Sequence, residues 1–360
     1  MATEARSRPP VGGSAPWLER PLTEALRTLR GHAILLHGPL GIGQFELALQ
    51  LAAAWLCESA ESGSARVGAC GHCAGCRLIT ARSHPDLALI LPETLRASLD
   101  MRRADEAVDA PSEGSAKTKP SKEIRVADMR SAVAFAQTTA SRGRSKVVVF
   151  YPAERINDVA ANTLLKTLEE PPGDARFILA CTAVDSLLPT VRSRCQAFAV
   201  ALPDPATALA WLRERDVTEP DIALAAAGGQ PQEVIERRAD SIDSPAWREL
   251  PRRLQKGETG AVAAWPLPRV LDALQKLCHD LMRSAAGAAP RYFPAASLMA
   301  APALGALAAW QSDLRRAAAQ IEHPHHAPLL LDALVLRAQQ ALGTATSPAR
   351  GRADALQYTR

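Results

Sequence analysis

Residues 32–57 read HAILLHGPLGIGQFELALQLAAAWLC. A short apolar run (33–37) is followed by a glycine-rich turn, Gly38-x-x-x-x-Gly43, and then by a segment with helical character (44–57). Strand, glycine-rich loop and helix in this order form the frame of a phosphate-binding loop. Backbone N–H groups and a helix N-terminus can hold an anion there without further help. Phosphoryl transfer needs more: a loop lysine against phosphate charge, a Ser or Thr hydroxyl on magnesium, and an acidic residue after a second strand. Here Gln44 and Phe45 follow the glycines, and the candidate second strand KVVVF (146–150) runs into Tyr151-Pro152. The loop Gly38, Gly41, Gly43, Gln44, Phe45 therefore reads either as a weak nucleotide site or as a retained fold element without a ligand.

Working outward, apolar strand-like runs alternate with helical segments. DLALILPE (86–93), KVVVF (146–150), ARFILACT (175–182) and QAFAVALP (196–203) read as strands. PLTEALRTLR (21–30), IRVADMRSAVAFAQTTA (124–140) and DVAANTLLKTLEEPP (158–172) read as helices, the last closed by a double proline. Such alternation implies a parallel α/β sheet covered on both faces. Residues 96–122 mix charges with Pro, Ser and Gly, and read as a loosely held insert. Beyond about residue 204 the β-branched runs stop. Short helices are expected over 205–244, long Ala/Leu helices over 245–342, and a polar tail over 343–360.

Four of the seven cysteines lie at 57, 70, 73 and 76, within the pattern that ends CGHCAGC. Four soft ligands at this spacing suit a structural tetrahedral zinc site with no open position for water. His72 lies between ligands and could compete for the metal. The chain starts without an apolar export signal, so clustered cysteines point to metal before disulfides. A net charge of +4 over 360 residues and 4% aromatics argue against strong nucleic-acid contact by this chain alone. No apolar run is long enough for a membrane span. A cytoplasmic protein is expected.

TVRSRC (190–195) places Arg194 just beyond a strand. It reads either as a surface salt-bridge partner or as a guanidinium held rigidly at a domain edge, able to stabilise phosphate charge in another subunit. In NTLLKTLEEPP (162–172), Leu164, Leu165 and Leu168 are core-type, and Lys166, Glu169 and Glu170 read as a solvated face. HPHHAP (323–328) reads as a turn between helices.

HAILLHGPLGIG, the four cysteines, SHPDL, NTLLKTLEEPP and RSRC occur together and in this order. The set resembles the clamp-loader subunits of bacterial DNA polymerase III, members of the AAA+ group. The resemblance is strong over residues 20–204 and weak beyond. It implies a sheet domain carrying a zinc module, a small helical lid and a helical collar. Gln44-Phe45 and Tyr151-Pro152 place the chain with the stator-like branch, which lacks the loop lysine and the acidic pair. For that branch the resemblance implies that no ATP is hydrolysed by this chain, and that Ser193, Arg194 and Cys195 serve the ATP site of an adjacent motor (gamma/tau) subunit, with Arg194 as the arginine finger. The implied partners are the motor and delta subunits in a hetero-pentamer, which loads a sliding clamp onto primed DNA. Two other readings remain: an active P-loop ATPase of the motor type, and a zinc-dependent DNA-binding module.

Overall fold

The computed structural model describes residues 15–59, 68–98, 120–321 and 326–343. The chain divides into two compact units, Met1–Thr207 and Ala208–Arg360.

The first unit is built on five parallel strands: β1 (Ala33–His37), β2 (Leu87–Ile90), β3 (Val147–Phe150), β4 (Arg176–Cys181) and β5 (Gln196–Ala199). They lie in the order β2-β3-β4-β1-β5. Register is continuous across the middle, with Leu35 opposite Leu179 and Val149 opposite Ile178. β1, β3 and β4 are apolar along nearly their whole length and are buried on both faces, as a helix-covered parallel sheet requires. The edge strand β5 is more exposed.

The helices follow from the same pattern. α1 (Glu19–Thr28) and α2 (Gln44–Leu56) flank β1 in the chain, and α3 (Ala74–Thr80) follows the cysteines. α5 (Val126–Gln137) and α6 (Asp158–Glu169) cover one face of the sheet. α6 begins at Asn157, whose side chain accepts the N–H of Ala160, an ordinary N-cap. Its Leu164 and Leu168 are buried against the sheet, as their spacing implies. Burial of each such side chain stabilises the fold by roughly 1.5–3 kcal/mol.

The strand expected over 86–93 stops at Ile90, and α4 (Glu93–Ser98) starts three residues later. Leu95 and Arg96 donate their N–H groups to the Pro92 carbonyl, so the chain turns into a helix where the apolar run alone suggested a longer strand. Of the insert expected over 96–122, residues 99–119 lie outside the described residues. Its far end is tied back, since Glu93 accepts the N–H of Ser121 at 2.7 Å.

The second unit is helical throughout the described residues. After α7 (Pro189–Arg192) in the first unit and α8 (Pro205–Arg213) at the boundary, its elements are α9 (Pro220–Ala226), α10 (Pro231–Ala239), α11 (Ser244–Gln255), α12 (Leu267–Ala285), α13 (Leu304–Gln320) and α14 (Ala327–Gly343). One apolar core, including Trp247, Leu274, Leu281, Trp310 and Val335, runs through the last four. Of the turn expected at 323–328, residues 323–325 lie outside the described residues, as does 344–360 of the expected tail. His326 lies at the entry to α14 and accepts the N–H of Leu329.

Candidate functional site

Three groups of side chains singled out in the sequence belong to the first unit. The first is the glycine-rich loop, which leaves the carboxyl end of β1, the edge where open parallel sheets bind ligands. Gly41 and Gly43 have φ of 73° and 98°, which favours glycine. Gly38 is needed for a different reason: a Cβ there would lie 2.3 Å from the Val200 carbonyl oxygen. The backbone cradle is therefore built as a phosphate loop requires.

Its side chains are not. Gln44 is 2% exposed, and its Nε2 donates to the carbonyls of Gly38 at 2.6 Å and Pro39 at 2.5 Å. The side chain at the lysine position thus folds back onto the loop and satisfies the loop's own acceptors. Phe45, at the hydroxyl position, stacks on Tyr151, with ring centroids 4.9 Å apart and planes 23° apart. Tyr151 occupies the end of β3, where the acidic pair is expected. Two departures far apart in sequence thus meet as one aromatic pair. Trp17 closes the loop from outside by donating its indole N–H to the Ile42 carbonyl at 2.8 Å. The first carboxylate after β3, Glu154, binds across to Thr182 at the end of β4, accepting from its N–H at 3.1 Å and its hydroxyl at 2.5 Å.

The second group is sulfur. The Sγ atoms of Cys57, Cys70, Cys73 and Cys76 all lie within 4.8 Å of one another. The Cys57–Cys73 and Cys70–Cys76 separations are 3.9 and 3.8 Å. Sulfurs placed about 2.3 Å from a shared centre at tetrahedral angles are about 3.8 Å apart, whereas a disulfide needs about 2.05 Å. The set therefore fits a four-thiolate metal site. Amide donors support the charge such a site needs, with the N–H groups of Cys70, Cys73 and Cys76 each 3.3 Å from a cluster sulfur. Burial opposes ionisation of Cys70, but the amides of Cys73 and His72 outweigh it and hold the thiol at about 5. Cys73 is lowered in the same way, against its burial, by the amides of Cys76 and Glu58. Burial pushes Cys76 up. His72 stays outside the sulfur set: its Nδ1 lies 2.9 Å from the Cys70 carbonyl oxygen on an exposed turn.

The third group is Arg194. Its Nε donates to Glu169 Oε1 at 2.6 Å, and its Nη2 reaches the same oxygen. Its Nη1 donates to the Thr190 carbonyl at 2.8 Å and contacts the Ser193 hydroxyl at 3.3 Å. The side chain is 31% exposed, so the guanidinium is held in place and still reaches the surface. Glu169, which the sequence assigned to a solvated face, is thus the carboxylate that orients this arginine. Cys195 contributes packing, since burial pushes its thiol up to about 12 and it lies against the sheet core.

One position quoted in SHPDL but given no role in the sequence is structurally central. Asp86 is fully buried and accepts the N–H groups of Ser141 at 2.7 Å and Arg142 at 2.9 Å. It also pairs with the buried Lys146 at 3.0 Å. It fixes the basic loop that leads into β3. A lone Asp after His-Pro gives little sign of this in the sequence, because its partners lie more than 50 positions away.

A parallel α/β phosphate-loop unit with a four-cysteine module, followed by a helical unit, is the class these features define. A family model described as "DNA polymerase III, delta subunit" matches residues 20–203. The chain is 36% identical to the DNA polymerase III subunit delta' of Pseudomonas aeruginosa, over 68% of this chain and 70% of that one. It is 31% identical to the subunit of the same name from Escherichia coli, over 72% and 76% of the two chains. A solved gamma subunit-related protein of DNA polymerase III from Thermotoga maritima superposes with a TM-score of 0.43 at 17% identity, over 91% of this chain and 99% of that one, a likeness too loose to bear on function. The chain belongs to the delta-prime family of DNA polymerase III subunits. Among the described residues, no helix is long and apolar enough to cross a membrane.

Proposed function

We propose that this chain is a non-hydrolysing, stator-like subunit of a clamp loader, and that it acts in the bacterial cytoplasm. It binds no catalytic nucleotide of its own and supplies Arg194 to the ATP site of an adjacent motor subunit. In this reading residues 205–244 form a lid and 245–342 a collar. The collar packs with the motor and delta subunits in a five-membered ring that places a sliding clamp on primed DNA. The cysteine module holds one structural zinc through Cys57, Cys70, Cys73 and Cys76.

One observation carries the reading. The lysine position is taken by Gln44, turned onto the loop carbonyls, and the magnesium position is covered by the Phe45–Tyr151 stack. Neither phosphate charge nor a divalent ion finds its usual partner there. The purified chain should therefore show no turnover of Mg-ATP above a buffer control. Gln44→Lys alone should not create it, because the aromatic pair remains. Steady turnover by the isolated wild-type chain, lost on Gly43→Val, would overturn the proposal and favour an active ATPase.

A further inference from the structure

The edge of the sheet opposite the glycine-rich loop carries a cavity of about 890 Å³. Residues just before β1, β3 and β4 line it, including Gly31, Ser145 and Ala175. Four arginines surround it, Arg30, Arg142, Arg144 and Arg176, against two carboxylates, Glu58 and Asp174. The balance is 4 − 2 = +2 on a small patch, in a chain whose whole net charge is +4.

The arginines are presented by rigid parts. Asp86 clamps the backbone at Ser141 and Arg142. Glu58, the residue after Cys57, accepts from Arg142 Nε at 2.5 Å, and its carbonyl accepts from Arg144 Nη2 at 3.1 Å. The sulfur module is thereby tied to the arginine loop. Arg176 lies over the Trp55 ring, its guanidinium carbon 4.6 Å from the centroid. Arg30 is exposed at the rim, with its backbone N–H held by Gln196. Gly143 at the loop tip has open space where a Cβ would stand, so its backbone can be approached closely.

We propose that this cleft binds single-stranded nucleic acid. Guanidinium forks match phosphate oxygens, and several at one rim suit successive phosphates better than one. The Arg176 guanidinium, backed by the Trp55 ring it lies over, offers its outer plane to a base, and a basic groove with a flat stacking surface is the arrangement that sequence-tolerant single-strand binders use. The volume is larger than one phosphate needs. An acidic peptide would use the arginines but not the platform, which separates the two partners by experiment. The site is at the far edge from Gln44, so the inference stands apart from the reading of the nucleotide loop.

The test is fluorescence anisotropy of a labelled oligothymidylate with the purified full-length chain, across a salt series. Arg30→Ala combined with Arg144→Ala should weaken binding at least about tenfold. It should also flatten the slope of log affinity against log salt by about 1.4, since each phosphate contact on a single strand contributes about 0.7. An abasic strand of equal length and charge should bind at least about fivefold more weakly than oligothymidylate. Arg30→Glu, at an exposed position, gives the same direction should the double variant unfold. The proposal falls if the oligonucleotide does not bind at low salt, or if binding is indifferent to these substitutions. It also falls if a polyglutamate peptide competes equally while the abasic strand binds as well as the normal one.

Discussion

Arg194→Ala should lower the DNA- and clamp-stimulated ATPase rate of the reconstituted complex by about two- to fivefold, with the folded state of this chain unchanged. The size follows from the role. An arginine delivered in trans to a transferring phosphoryl group contributes about 10³–10⁵ in rate in other systems. In the proposed ring several motor sites share the turnover, so losing one leaves part of it. The fold should tolerate the change. The Arg194–Glu169 pair is half-exposed, and pairs of this kind contribute about 0–1 kcal/mol to stability. Arg194→Lys should fail almost as badly, because a point ammonium cannot keep the contacts to Glu169 and to the Thr190 carbonyl while also meeting a phosphate. Glu169→Ala is the contrast. It leaves the anchor to Thr190 and should cost less than Arg194→Ala does. Rates measured on assembled complexes of verified subunit content decide the matter, and an unchanged rate with Arg194→Ala would remove the trans role.

The sheet was legible in the sequence because β1, β3 and β4 are continuous apolar runs, and only a strand buried on both faces needs that. The four cysteines were legible because metal ligands must be close in space, and here three of them are close in sequence as well. Gln44, Phe45 and Tyr151 were each visible as departures from a hydrolytic loop. That Phe45 and Tyr151 stack was not, since it depends on the first turn of α2 lying over the end of β3. The role of Glu169 was hidden for the same reason: position on a helix face shows that a carboxylate is outward, not what meets it there. The arginine cleft was the least visible feature. Its residues come from three strand entrances and a loop, and a net charge averaged over 360 residues dilutes a local +2. Asp86 was quoted within a motif, yet its function is to hold backbone N–H groups, which leave no mark in a sequence.

Emptying the proposed four-cysteine metal site is the remaining large perturbation. Protein purified without chelator should hold about one zinc per chain, and Cys73→Ser should release it. His72→Ala should retain it, because that side chain lies on the Cys70 carbonyl side of an exposed turn and is not one of the four sulfurs. Without the ion, thiolates as close as 3.8 Å repel one another and must take up protons, and the turn at 70–73 keeps little apolar burial of its own. Hydrogen exchange should rise over Gly68–Thr80 while β3, buried along its whole length, stays protected. A loss of about 2–4 kcal/mol would lower the midpoint of the first unit's unfolding by roughly 5–15 °C. Glu58 sits beside Cys57 and holds Arg142, so the loosening should spread to the arginine loop before it reaches the sheet. Metal-free protein with an unchanged midpoint and unchanged exchange over Gly68–Thr80 would show that the four sulfurs do not need an ion to hold this turn.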